Sequence, residues 1–142
     1  MISFSCPSRG RPELAKRLVD TAESTAKHEV QILFYLNDDD PKLPQYKDLL
    51  KEKYYTVGPN QSTCLSWNQM AEKAKFDIVM LMGDDVQVQT QDWDQIIKEQ
   101  FDQYVDKILM VVPSDGRWKG TLRFKEDNPI LWGDSVLPAA HF

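Results

Sequence analysis

The sequence predicts an α/β fold built on a mainly parallel sheet with helices on both faces. Three observations predict it. Short apolar runs alternate with amphipathic segments of helical period along most of the chain, the pattern of strands joined by crossover helices. One run, Ile78-Val79-Met80-Leu81-Met82, is apolar without a break, as expected of a parallel-sheet strand buried on both faces. No linker, internal repeat or low-complexity stretch divides the 142 residues, so a single domain with a real core is expected.

The elements follow in order. Ile2 to Cys6 is predicted as the first strand. Pro7-Ser8-Arg9-Gly10-Arg11-Pro12 is a loop, with Pro12 where proline favours the start of a helix. Leu14, Leu18, Ala22 and Ala26 recur at a spacing of four and mark one helical stripe. Val30 to Leu36 is the second strand, leaving the sheet at Asn37-Asp38-Asp39-Asp40-Pro41. Tyr46 to Glu52 is a short helix. Tyr54 to Val57 is the third strand, closed by Gly58-Pro59. Ser62 to Lys75 is a helix with Leu65, Met70 and Ala74 inward. The fourth strand runs into Gly83-Asp84-Asp85. Trp93, Ile97, Phe101 and Tyr104 mark a further helix, capped by Thr90 or Asp92. Ile108 to Val112 is a fifth strand, and Ser114 to Pro129 a polar loop before Ile130-Leu131-Trp132 and Leu137 to Phe142.

Composition limits the function. Hydrophobic residues make up 42% and charged residues 27%, the balance of a globular chain rather than a disordered one. The net charge of -5 argues against broad binding to nucleic acid. The cysteines, Cys6 and Cys64, form no metal-ligand cluster, so a reducing cytoplasm is the simpler setting. The start of the chain lacks a signal-peptide pattern, and no segment is long enough to span a membrane. Neither a Gly-x-Gly-x-x-Gly fingerprint nor a Gly-Lys-Ser/Thr loop occurs, which removes the dinucleotide fold and the P-loop.

Three strand exits carry chemistry. Arg9 and Arg11 precede a helix and suit phosphate oxygens, through forked bonding and the helix dipole. Asp38 suits ribose hydroxyls or a base N–H. Asp84 and Asp85, with no room to bury their charge, suit a hard divalent cation that could bridge a diphosphate. If the first, second and fourth strands are parallel neighbours, these exits share the carboxyl edge where open α/β sheets bind ligands. Each part also has a plain structural reading. Asp-Asp after a strand and Asp-Asp-Asp-Pro are ordinary turn chemistry, and the arginines could be solvated loop charges.

The segments Cys6-Pro7-Ser8-Arg9-Gly10-Arg11-Pro12, Leu36-Asn37-Asp38-Asp39-Asp40-Pro41, Trp67-Asn68-Gln69-Met70-Ala71 and Leu81-Met82-Gly83-Asp84-Asp85 together resemble the family 2 glycosyltransferases of the GT-A fold, a Rossmann-like architecture. The resemblance covers most of residues 1 to 113. It implies a metal-dependent transferase that moves a hexosyl or pentosyl group from a nucleoside-diphosphate sugar, UDP-sugar first, to an acceptor hydroxyl with inversion. By position it implies that Pro7, Ser8, Arg9 and Arg11 line the nucleotide pocket, that Asp38 meets the base or ribose, and that Asn68 flanks the pocket. It further implies that Asp84 faces the ribose or sugar and that Asp85 holds Mn2+ or Mg2+ through a DXD-like motif. Gly83 departs from the fuller Asp-Asp-Asp form and puts the ligand count in question.

The acceptor part, about 114 to 142, is expected to be incomplete. Within it Asp134 is a candidate base and His141 a candidate metal ligand. The loop with Arg117, Trp118, Lys119, Arg123 and Phe124 is either an acceptor or partner surface or a solvated loop with its rings tucked under. A nucleic acid acceptor is a minor alternative. The rival functions are a nucleotidyltransferase, whose glycine-rich N-terminal loop this chain lacks, and a non-catalytic nucleotide- or partner-binding module.

Overall fold

A computed structural model of the chain describes residues 1–106. β1 (Ile2–Ser8) leads through α1 (Pro12–Thr25) to β2 (Gln31–Asn37). α2 (Leu43–Leu49) and a 3-10 turn at Glu52–Tyr54 lead to β3 (Tyr55–Gly58). α3 (Thr63–Glu72) then leads to β4 (Ile78–Leu81), and α4 (Trp93–Asp102) follows. The four strands form one all-parallel sheet in the order β3-β2-β1-β4. The fold is therefore α/β and Rossmann-like, as the alternation of elements predicts.

Alternate residues of β2 separate the two faces of the sheet. Ile32, Phe34 and Leu36 join β1, α1 and α2 in the larger core, with Leu18, Ala22, Tyr46 and Trp93. Leu33 and Tyr35 face the other way, against Met70 of α3. Helices thus cover both faces, which is why β2 reads as an unbroken apolar run. β3 closes on Gly58, where a side chain would strike the Tyr35 ring, whose hydroxyl donates to the Pro59 carbonyl at 2.8 Å.

Several expectations are corrected. β4 is not buried on both faces. It lies at the sheet edge among the described residues, and Val79 and Leu81 are 39% and 43% exposed. Ile78 and Met80 pack against the larger core, whereas on the opposite face α3 packs over β1 and β2 through Trp67 and Met70 and leaves Val79 and Leu81 exposed. In α1 the buried positions are Pro12, Ala15, Leu18, Val19 and Ala22, with Leu14 half-buried. A contact stripe that spans more than one turn position is broader than a strict spacing of four. α2 begins at Leu43, earlier than Tyr46, since Pro44 is tolerated in its first turn. α3 is capped by the Ser62 hydroxyl, which accepts from the Leu65 N–H at 3.3 Å. Leu65 itself is exposed, and Ser66, Trp67 and Met70 face inward. Tyr104 lies past the end of α4 and is exposed. The fifth strand at Ile108 to Val112, the polar loop and the acceptor part about 114 to 142 lie outside the described residues.

Asp92 stands at the N-cap of α4 in the left-handed region, and its side chain makes no cap bond. Asp94 takes the structural role instead. Its buried carboxylate accepts from the Lys27 N–H at 2.7 Å, the His28 N–H at 3.0 Å and His28 Nδ1 at 2.9 Å. Burial pushes this carboxyl up, and the three hydrogen bonds together more than offset it, so the net shift is downward. A lowered carboxyl contributes stability that is present above the unfolded pKa, about 3.9, and is lost as pH falls through the folded value. Asp94→Asn is expected to lose about 1.5 to 3 kcal/mol at neutral pH. Its stability should also fall less on acidification than that of the wild type. Urea unfolding between pH 3 and 7 measures both, and equal acid slopes would reject the assignment.

Candidate functional site

β1 lies between β2 and β4, so the chain leaves β1 in one direction along the sheet and returns on its other side. A crevice outside the carboxyl ends of the strands forms where the order reverses, here between β1 and β4. The register continues past the last paired residues, because the Met82 N–H donates to the Ser5 carbonyl at 3.0 Å. The exits of β1 and β4 are therefore held side by side.

A polar cluster joins these exits. Ser8 Oγ donates to Asp84 Oδ2 at 2.5 Å and lies 2.6 Å from the Tyr46 hydroxyl. The Arg11 N–H donates to that same hydroxyl at 2.9 Å. Arg11 Nη2 lies 2.6 Å from Asp84 Oδ1 as an ion pair, without hydrogen-bond alignment, so Oδ1 keeps no aligned donor. Asp84 is fully buried, whereas half of the Arg11 side chain is in solvent. Burial raises the Asp84 carboxyl above its ordinary value, against the Ser8 hydrogen bond and the Arg11 charge, and the neighbouring Asp85 raises it further. The sign is opposite to that of Asp94: this carboxyl opposes folding increasingly as pH rises from the unfolded value through the raised folded one. Cys6 lies buried near these charges, and its thiol is pushed up by burial first and then by Asp84. It is a poor nucleophile there. Cys6 and Cys64 are both free thiols.

The loop between β1 and α1 is tied down by the acidic exit of β2. Arg9 pairs with Asp39, the Gly10 N–H donates to Asp40 Oδ2 at 2.7 Å, and Asp40 Oδ1 accepts from the Lys42 N–H at 2.9 Å. Gly10 has φ of 71°, a conformation that glycine adopts without a Cβ penalty. The backbone N–H groups of Gly10 and Arg11 are thus committed within the protein. Anion capacity at this exit rests on the Arg11 guanidinium rather than on a backbone cradle.

The expected site residues are brought together in part. Pro7 and Ser8 belong to β1 rather than to the loop, and Ser8 is central to the cluster. Arg11 and Asp84 meet in it. Arg9 is engaged by Asp39 at the exposed rim. Asp38 is exposed and open beside the β2–β3 exit, where its N–H donates to the Gly58 carbonyl at 2.8 Å. Asn68 is exposed on α3 and makes no hydrogen bond with the cluster. Asp134 and His141 lie outside the described residues. The expectation that neither acid of the pair can bury its charge is corrected: Asp84 buries its own because Ser8 and Arg11 receive it. The pocket members missed in the sequence are Tyr46 and Asp40. Nothing distinguishes Tyr46 there from a core aromatic, or Asp40 from its two acidic neighbours.

Asp85 is the open carboxylate. Its side chain is exposed and folds back over Gly83, where an added Cβ would meet Asp85 Oδ1 at 2.7 Å. Its carbonyl accepts from Arg17 Nη2 at 3.0 Å, which fixes the backbone beneath it. Among the described residues no group of three His, Cys, Asp or Glu side chains could close around a metal ion. Mg2+ is commonly held by one or two carboxylates together with substrate phosphates rather than by a protein cage. One open carboxylate beside a half-exposed arginine fits that partial mode and does not fit a protein-only metal centre.

Comparisons with protein-family models, with curated proteins and with solved structures found no match. Among the described residues no helix is long and apolar enough to cross a membrane.

Proposed function

We propose that this chain is a metal-dependent glycosyltransferase that binds a nucleoside-diphosphate sugar, UDP-sugar first, across the carboxyl edge of its sheet. One observation carries the reading: Arg11 from the β1 exit and the Asp84-Asp85 pair from the β4 exit meet where the strand order reverses. The resemblance of the sequence motifs to family 2 glycosyltransferases supports it independently.

In this reading Asp38 receives the nucleoside, Arg11 faces the diphosphate, and the fully buried Asp84 holds Arg11 in place rather than meeting the sugar itself. Asp85 would hold Mn2+ or Mg2+. The cation, when bound, supplies Lewis-acid stabilisation of the diphosphate. Arg11 adds a second positive charge to the departing group. A carboxylate base on the acceptor side, Asp134 in the sequence-based assignment, would take the acceptor proton, and inversion would follow from a single displacement. The two free thiols suit a cytoplasmic setting.

The test is calorimetric titration of the full chain with UDP, GDP, CMP, UDP-glucose and ATP, with and without Mn2+. Tighter binding of one nucleoside diphosphate in Mn2+ is the expected result. Preference for a nucleoside triphosphate would favour a nucleotidyltransferase instead. Absence of binding to the whole panel by a folded sample would reject a nucleotide site and leave the binding-module reading.

A further inference from the structure

The polar cluster closes into a ring. It runs from the Arg11 N–H to the Tyr46 hydroxyl, to the Ser8 hydroxyl, to Asp84, and back to the Arg11 guanidinium. The direction of each bond follows from donor counting. A backbone N–H can only donate, so Tyr46 Oη accepts from Arg11. Ser8 has one proton and gives it to Asp84. At the 2.6 Å Ser8–Tyr46 contact the phenol must therefore be the donor. Tyr46 thus accepts from one end of Arg11 and, through Ser8, supplies a donor to the carboxylate that holds the other end. Its ring is fully buried in the main core beside Leu36 and Leu18, so the hydroxyl cannot wander. Long arginine side chains lose much rotamer freedom when fixed, and fixing it in advance favours binding.

We infer that Tyr46 is a positioning residue: through its hydroxyl it locks backbone and guanidinium of Arg11 into one conformation, ready for a diphosphate. This rests on the nucleotide-diphosphate reading above and adds a residue to it. Asp84 occupies only Nη2, and half of the side chain is in solvent, so the guanidinium retains donors for phosphate oxygens.

The test is Tyr46→Phe in the full chain, read in two ways. Calorimetry with inorganic pyrophosphate and Mn2+ is expected to show about tenfold weaker binding, the loss when the competent conformer falls to about a tenth of the population. NMR of the arginine guanidinium nitrogens in the ligand-free protein is expected to show slow Nη exchange at Arg11 in the wild type and fast exchange in the variant. A purely structural role would leave that signal unchanged. Ser8→Ala breaks the same ring at another atom and should reproduce both effects, which covers the case in which Tyr46→Phe does not fold. Wild-type-like binding together with an unchanged Arg11 signal would overturn the inference. So would weaker binding with Arg11 still locked. Failure of the wild type to bind pyrophosphate or any nucleotide would instead overturn the reading beneath it, whatever the Arg11 signal.

Discussion

Trp93→Ala is expected to cost about 3 to 5 kcal/mol of folding stability, a large part of the roughly 5 to 15 kcal/mol that holds a domain together. Trp93 is the first residue of α4 and is 5% exposed. Its ring stacks on Phe4 of the central strand, with centroids 5.0 Å apart and planes 12° from parallel. Its Nε1 donates to the Ala22 carbonyl at 3.2 Å. The preceding Asp92 N–H donates to the Thr25 carbonyl at 2.8 Å. Removing the indole therefore opens a cavity between β1 and α1 and releases the start of α4 as well. Trp93→Phe keeps most of the apolar area and the stack and loses the one hydrogen bond, for about 1 kcal/mol of that bond plus any repacking. Urea unfolding followed by circular dichroism orders the two variants. A Trp93→Ala loss below about 1 kcal/mol would mean that α4 is held elsewhere.

Asp85→Ala is expected to remove the Mn2+-dependent part of nucleotide binding while leaving stability within about 0.5 kcal/mol of the wild type. The asymmetry follows from placement. The Asp85 side chain is exposed, and the contact that anchors the residue, from Arg17, goes to its backbone carbonyl. Losing the sole open carboxylate of the pair should weaken binding in Mn2+ by about one to two orders of magnitude, the scale of 1.4 to 3 kcal/mol for a charge-assisted contact. Binding measured in a chelator should be unchanged. If Asp85→Ala retains the full Mn2+ effect, the cation is held by other groups and the metal assignment falls. Asp84→Ala would be a poor substitute for this experiment, because it strands the Arg11 guanidinium and alters the anion site at the same time.

The order of strands and helices was legible because β2 is a near-continuous apolar run and because Pro12 starts α1 and Gly58 closes β3. Helix boundaries were less so. α2 starts three residues before Tyr46 because Leu43, half-buried against the core, makes the first contact and a proline follows it. Burial in β4 was misjudged because an apolar run reports hydrophobicity and not neighbours. Only the strand order places Val79 and Leu81 on the edge strand of the sheet among the described residues. At the site, residue types pointed to strand exits that share one edge of the sheet, but not to the division of labour within them. Asp38, Asp39 and Asp40 look alike in sequence, yet they are respectively open, paired with Arg9, and committed to Gly10 and Lys42. Asp84 and Asp85 divide in the same way, into a buried structural acid and an open one. Such distinctions depend on long-range contacts, which no local pattern encodes.

The pairing of the first strand with the last described one has a consequence for biosynthesis. Ser8 and Asp84 are 76 positions apart in the chain, so at 5–20 residues per second the ribosome takes roughly 4 to 15 s to deliver the acid after the serine. Throughout that interval β1 can pair with β2 but has one edge open to other chains. β1 carries serines at positions 3 and 5, the positions opposite Val79 and Leu81, and their hydroxyls are occupied by Gln31 and by the Trp67 carbonyl. These polar side chains make the waiting edge a poorer template for aggregation than an unbroken run of valine or isoleucine would be. The crevice is therefore completed late, by the strand that brings its carboxylates with it.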